Sequence, residues 1–450
     1  MSDGTMEQTL KVGTVGVVAA TKKFEVGGRR ATYVLIICCL LYGVNWMDRQ
    51  VFSVVAAPMM EALKLTKTQV GWIQNFFLLS IGILAIPVSY LVDRWSRTKG
   101  ISLMAILWSA ATFVTGLGTG FTSVLIPRIG VGVGEAGFGP GGTALISASY
   151  KPEQRGHKLG YFNMFIAVGV VAGLLLGGYF AARWGWAAPF FVFAVPGVIL
   201  GILALFMQDY PTRPKAETGV RFWRSFVALW KIPTLRWLYI GFGLYMLTIL
   251  AVAHWNVALL IFRFKLRVDQ AANIMAAILV LSFFAYPLGG WISDKWEKRS
   301  PGGRMRYAAL CSFGGAVFAI LYLYVTFILY TGGFWDYGAL LIIGLLFYVL
   351  HTLVIAGVGG PVGATTQMVV PAHLKSLSFG IAMTSMYALG GGWGSGIAGM
   401  IADAVGTGKP GDWLGLAYGN IAVCTVAILA ALCWWRSAHH YKTDIQKVQH

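Results

Sequence analysis

The chain has 450 residues, 57% of them apolar and only 12% charged, with a net charge of +18 and a mean hydropathy of +0.69. Ordinary globular domains carry about twice that share of charge. A soluble globule, a disordered chain and a disulfide scaffold are therefore excluded, as is an outer-membrane barrel, whose short segments alternate in polarity. What remains is an all-α polytopic membrane protein.

Residues 1–30 contain one short apolar stretch, Val12 to Ala20, between lysines. It is too short to span a bilayer and reads as part of a cytoplasmic N-terminal tail. Twelve stretches then meet the requirement of about 20 mainly apolar residues. They lie near 31–60, 68–92, 99–117, 121–149, 157–181, 186–207, 234–262, 269–293, 305–330, 337–368, 376–402 and 413–436. The polar, basic segment 208–233 divides them into two six-helix bundles, 31–207 and 234–436, and 437–450 reads as a cytoplasmic tail. Most of the 35 Lys and Arg fall in the tails and loops of one side. That positive-inside bias puts both termini in the cytoplasm, in a cell membrane of the bacterial inner-membrane kind. The charge is thus topological, and no folded basic domain exists to hold a nucleic acid. Cys38, Cys39, Cys311, Cys424 and Cys433 all sit in apolar stretches without disulfide or metal spacing.

The halves echo each other. Ser89, Asp93, Arg94, Trp95 and Arg97 after span 2 match Gly290, Asp294, Lys295, Trp296 and Lys298 after span 8. At one common offset, Pro140 pairs with Pro361, Gly142 with Gly363, Gly169 with Gly390 and Gly173 with Gly394. Two related bundles around a pseudo-two-fold axis are the plan of secondary transporters, with the site at mid-membrane between them.

Asp93, Arg94 and Arg97 resemble the loop signature of the major facilitator superfamily, with Ser89 and Ser96 where that family has glycines. Arg128, Gly132 and Gly134 resemble its span 4 motif, and the likeness extends over essentially the whole chain. Tyr42, Asn45, Asp48 and Arg49, followed by Gly132, Gly134, Glu135 and Ala136, are similar to two branches of that family. One carries amphiphilic lipids (spinster-like); the other is the proton-coupled organic-anion symporters. The resemblance implies alternating access, with transport roles for the Asp-Arg pair of span 1 and the glutamate of span 4.

The residues independently pick out the same groups. Charge in hydrocarbon is costly, so Asp48, Arg49, Arg128 and Glu135 should pair and face a cavity. Arg128 and Glu135, seven apart, share a helix face. Burial favours the neutral form of a carboxyl and a neighbouring arginine the charged form, which suits proton coupling by Glu135 and Asp48. A guanidinium fork suits a carboxylate or phosphate head, which suits substrate binding by Arg49 and Arg128. A permanent bridge locking span 1 to span 4 would use the same four groups. Further substrate contacts are expected from Tyr42, Asn45, Tyr161 and Asn163 in the first half, and from His254, Asn256 and His351 in the second. No Asp, Glu, Lys or Arg is placed inside spans 7 to 12. Asp93, Arg94, Arg97, Asp294 and Lys295 read as cytoplasmic latches. Gly169, Gly173 and Gly177 should let helices approach closely.

The expected function is secondary active transport, as proton symport of a small organic anion. The alternatives are a spinster-like carrier of an amphiphilic lipid or lysolipid, and an uncoupled facilitator or channel. No motif calls for an enzyme, a cofactor or a metal; the partners are a small-molecule substrate, protons and the bilayer, and one chain suffices as a monomer.

Overall fold

A computed structural model describes residues 26–209, 219–329, 337–371, 374–407 and 411–449. The first half comprises α1 (Gly28–Leu63), α2 (Lys67–Arg94), α3 (Arg97–Gly116), α4 (Phe121–Glu135) with α5 (Phe138–Ser149), α6 (Pro152–Trp184) and α7 (Ala188–Ala204). A linker helix α8 (Gly219–Lys231) leads to the second half. There follow α9 (Pro233–Phe264), α10 (Val268–Ser282) with α11 (Ala285–Arg299), and α12 (Gly303–Leu323), which ends in a π-helical turn, Tyr324–Ile328. The last spans are α13 (Tyr337–Ala356) with α14 (Gly359–Met368), α15 (Lys375–Thr384) with α16 (Gly392–Val405), and α17 (Trp413–Gln449). A π-helical segment, Ser385–Gly391, joins α15 to α16. Among the described residues the structure is a multi-pass helical fold of twelve spans. The fourth, eighth and eleventh reach crossing length only as segments laid end to end.

The repeat seen in the sequence is carried by backbone contacts. A Cβ on Gly169 would strike the Gly43 carbonyl, and one on Gly390 would strike the Gly243 carbonyl. Gly173 and Gly394 stand likewise against the carbonyls of Met47 and Leu247. Spans 5 and 1, and spans 11 and 7, are thus pressed together by the same device. Helix breaks also match: α4 ends beside Ala136 and Gly137, and α13 ends beside Gly357 and Val358. Gly177 differs, with its nearest neighbour 3.8 Å from a would-be Cβ. Gly169→Ala is therefore expected to cost about 1–3 kcal/mol through overpacking, and Gly177→Ala to be nearly neutral. Thermal melting of the two variants in detergent checks the contrast.

At the end away from the termini the halves share one core. Val51, Phe52, Val55 and Met59 of α1 pack in the same cluster as Trp255, Ala258 and Leu259 of α9. Asp403 of α16 accepts bonds from Thr68 N and Oγ1 at 2.8 and 2.7 Å, and Lys67 Nζ lies 3.6 Å from it. This charge stands at the closed end, one residue beyond the apolar stretch 376–402. Asp403 falls within α16 because that helix runs three residues past the apolar stretch. At the terminus end each half keeps a core of its own. The packing is therefore closed at one end and divided at the other.

Two segments outside the twelve apolar stretches pack against the second half. The last helix continues to Gln449, because Asp444 accepts from Thr234 N and Oγ1 at 3.0 and 2.8 Å and binds the supposed tail to the start of α9. In the linker, Leu229 is buried and Trp230 stacks 6.1 Å from Tyr239. The N-terminal tail up to residue 25, and residues 210–218 of the linker, lie outside the described residues.

Candidate functional site

Span 4 is held by its glycines. Gly132 leaves room for Ser80 and the Phe77 carbonyl of α2, while Gly134 admits Trp108 of α3. With α4 wedged between those two helices, Arg128 and Glu135 meet α1. Glu135 is the last residue of α4, and its Oε2 accepts from Arg49 Nε at 2.7 Å. Arg49 also lies over the Trp46 ring at 4.6 Å and donates from Nη1 to the Tyr387 hydroxyl at 2.9 Å. That last bond crosses from the first half to the second.

The other pair is looser. Arg128 Nη1 stands 3.8 Å from Asp48 Oδ1, and Asp48 accepts a short bond from the Thr112 hydroxyl. Phe52 and Phe77 lie against the Arg128 guanidinium at 5.1 and 4.3 Å. A fully buried guanidinium is costly in hydrocarbon, and among the described residues none of its nitrogens has a hydrogen-bond partner. Aromatic faces offset part of that cost, by about 0.5–2 kcal/mol each. Two acids and two guanidiniums thus neutralise one another in cross pairs between spans 1 and 4.

A cavity of about 60 Å³ lies between the halves beside the first pair. It would hold about two waters, at roughly 30 Å³ each. Arg49, Gln50, Ser53 and Gln74 line it from the first half, His254 and Tyr387 from the second. His254 Nδ1 shares a 3.0 Å bond with Ser53 Oγ, and its buried Nε2 has no partner among the described residues. Of the residues singled out in the sequence, Arg49 and His254 therefore reach the cavity wall, with Glu135 directly behind.

Others do not. Phe162 of span 5 faces span 1, stacked 4.2 Å from Tyr42, so its neighbours Tyr161 and Asn163 point aside and are exposed. Tyr42 itself and Asn45 pack within the first half, Asn45 with its Nδ2 unpartnered among the described residues. Asn256 lies two residues from His254, hence on the opposite side of α9, turned away from the cavity. His351 donates from Nδ1 to the Gly315 carbonyl at 2.8 Å and stacks on Tyr348 inside the second half. The side chains of Asp93 and Arg94 lie outside the described residues, and Arg97 is buried at the start of α3. Asp294 pairs with Arg304 of its own half at 2.8 Å, and Lys295 sits over Trp291 at 5.2 Å. Tyr387, Thr112 and Gln74 were missed in the sequence.

The family model of the Major Facilitator Superfamily matches residues 38–395. Over 193 residues the chain is 30% identical to the "MFS-type efflux pump" of Mycolicibacterium smegmatis, covering 42% of this chain and 45% of that protein. Over 159 residues it is 30% identical to the "Probable L-galactonate transporter" of Escherichia coli, covering 35% of each. The chain thus spans less than half the length of either relative. Among solved structures, a bacterial homolog to the human lysosomal transporter Spinster, inward-facing and unoccupied, superposes with a TM-score of 0.79. It is 22% identical, covers 93% of this chain and 99% of that one, and shows the same fold.

Proposed function

The chain belongs to the Major Facilitator Superfamily and is a membrane transporter rather than an enzyme; from that premise we propose proton-coupled symport of a small organic anion, a carboxylate. The observation that carries this is Arg49 on the wall of the cavity between the halves, bonded to Glu135 behind it. With Glu135 charged, Arg49 is spent on it. Once a proton neutralises Glu135, the fork is released and an incoming carboxylate takes its place. One proton and one negative charge then enter together, and the site stays neutral for the crossing. The relative whose printed name gives L-galactonate, an organic acid anion, supports the carboxylate.

The positive-inside bias supports termini in the cytoplasm, in a bacterial inner membrane. The closed end, with Lys67 on Asp403, then faces outward, and the divided end opens inward. Asp93, Arg94 and Arg97, with Asp294 and Lys295, would latch the inner end on closure, Asp294 exchanging Arg304 for a partner across the cleft. One chain carries both halves and the site, so a monomer suffices.

Proteoliposomes holding the protein, with an imposed pH gradient and labelled L-galactonate or labelled lysophosphatidylcholine, test the reading. Accumulation of the acid above equilibrium, abolished by a protonophore, is expected. Acid flux that merely equilibrates would mean an uncoupled facilitator, and movement of the lysolipid alone an amphiphile carrier.

A further inference from the structure

Arg49 gives two of its nitrogens to protein, Nε to Glu135 at 2.7 Å and Nη1 to Tyr387 at 2.9 Å. Its Nη2 makes no bond among the described residues. In the second bond the phenol oxygen is the acceptor, so the Tyr387 hydroxyl still has its own proton to donate. Among the described residues nothing takes it. Two unspent donors therefore stand together at one cavity, one from each half of the molecule. The backbone that places the hydroxyl is unusual too. Tyr387 lies in the π-helical segment Ser385–Gly391, a form often found at functional sites. Gly82 of α2 makes room for it, since a Cβ there would come within 2.9 Å of Tyr387 Cβ.

We propose that Tyr387 is the second half's contact for the transported anion, its hydroxyl donating to the same carboxylate that Arg49 holds from the first half. This rests on the symport reading above. The anion then joins the halves through its own oxygens, so an occupied carrier is held together at its middle by the substrate. A neutral analogue gains little from either donor. Tyr387 thereby sets the preference for acids, while the proton is handled at Glu135.

The test is thermal stabilisation and counterflow of the full-length protein with L-galactonate and a series of two- to seven-carbon hydroxy acids. Tyr387→Phe keeps the ring and removes only the hydroxyl. It is expected to raise KM about tenfold, to leave kcat within about twofold, and to leave the pH midpoint of exchange in place. A KM equal to that of the unaltered protein, while Arg49→Gln abolishes binding, overturns the role of Tyr387 alone. A fall in kcat and melting temperature without change in KM overturns it equally, because it marks a packing role. If no acid stabilises the unaltered protein, the symport reading fails first and this inference with it.

Discussion

Arg49→Lys is expected to bind substrate at least tenfold more weakly although the charge is kept. The guanidinium serves three directions at once: Nε toward Glu135, Nη1 toward Tyr387, and its flat face on Trp46. An ammonium is a compact charge without that planar fork. It can satisfy Glu135 or the carboxylate, and loses the bond across the halves. A charge-assisted bond contributes about 1.5–3 kcal/mol, which at about 1.4 kcal/mol per decade is about 10–100-fold in KM. Counterflow with labelled acid reads KM directly, and the melting temperature separates lost binding from lost folding. Near-normal KM in a stably folded lysine variant would make Arg49 part of a fixed bridge.

That outcome matters because the four charges alone do not separate the two roles. They were legible in the sequence, since hydrocarbon makes every charge conspicuous. Their shared location was legible from helix spacing. The pairing was not: Arg128 and Glu135 share a face of span 4, yet each turns to a different partner on α1. Which partner depends on how far α4 slides between α2 and α3, and Gly132 and Gly134 set that by contacts no periodicity reveals.

The second half was harder to read. Nothing marks Tyr387 among the 19 tyrosines of the sequence, and the π-helical turn around it alters which way the residues of span 11 face. His254 and Asn256 could have been separated earlier, because residues two apart on a helix cannot face one cavity together. His351 was conspicuous as a polar group in an apolar span, but the Gly315 carbonyl satisfies it. The Lys67–Asp403 pair escaped notice because both residues fall just beyond the apolar stretches, where charge is ordinary. Partners from distant spans lay beyond reach throughout. The repeat, by contrast, was legible in part: Gly169 and Gly390, and Gly173 and Gly394, stand against carbonyls in both halves, whereas Gly142 meets the Phe162 ring and Gly363 has open space beside it.

Glu135→Gln is expected to abolish gradient-driven uptake while sparing substrate-for-substrate exchange. A coupling carboxyl has to be charged toward one solution and neutral during the crossing, and glutamine fixes the neutral form at nearly the same volume. Arg49 then loses its anionic partner and remains free for the substrate, so exchange in liposomes continues. Uptake driven by an imposed pH gradient should fall to the level of protein-free vesicles. A structural Glu135 would give a different pattern: both activities lost together with a lower melting temperature, or neither affected. Asp48→Asn belongs in the same experiment, because Asp48 is the other carboxylate of the cluster among the described residues and is held by Thr112 and Arg128. Its loss leaves Arg128 buried without a counter-charge, which costs about 3–5 kcal/mol when a buried pair is broken. A marked fall in stability is therefore expected for Asp48→Asn and not for Glu135→Gln, whose partner is within reach of the cavity. Gradient-driven uptake that survives in both single variants and in the double variant would mean that neither carboxylate carries the proton.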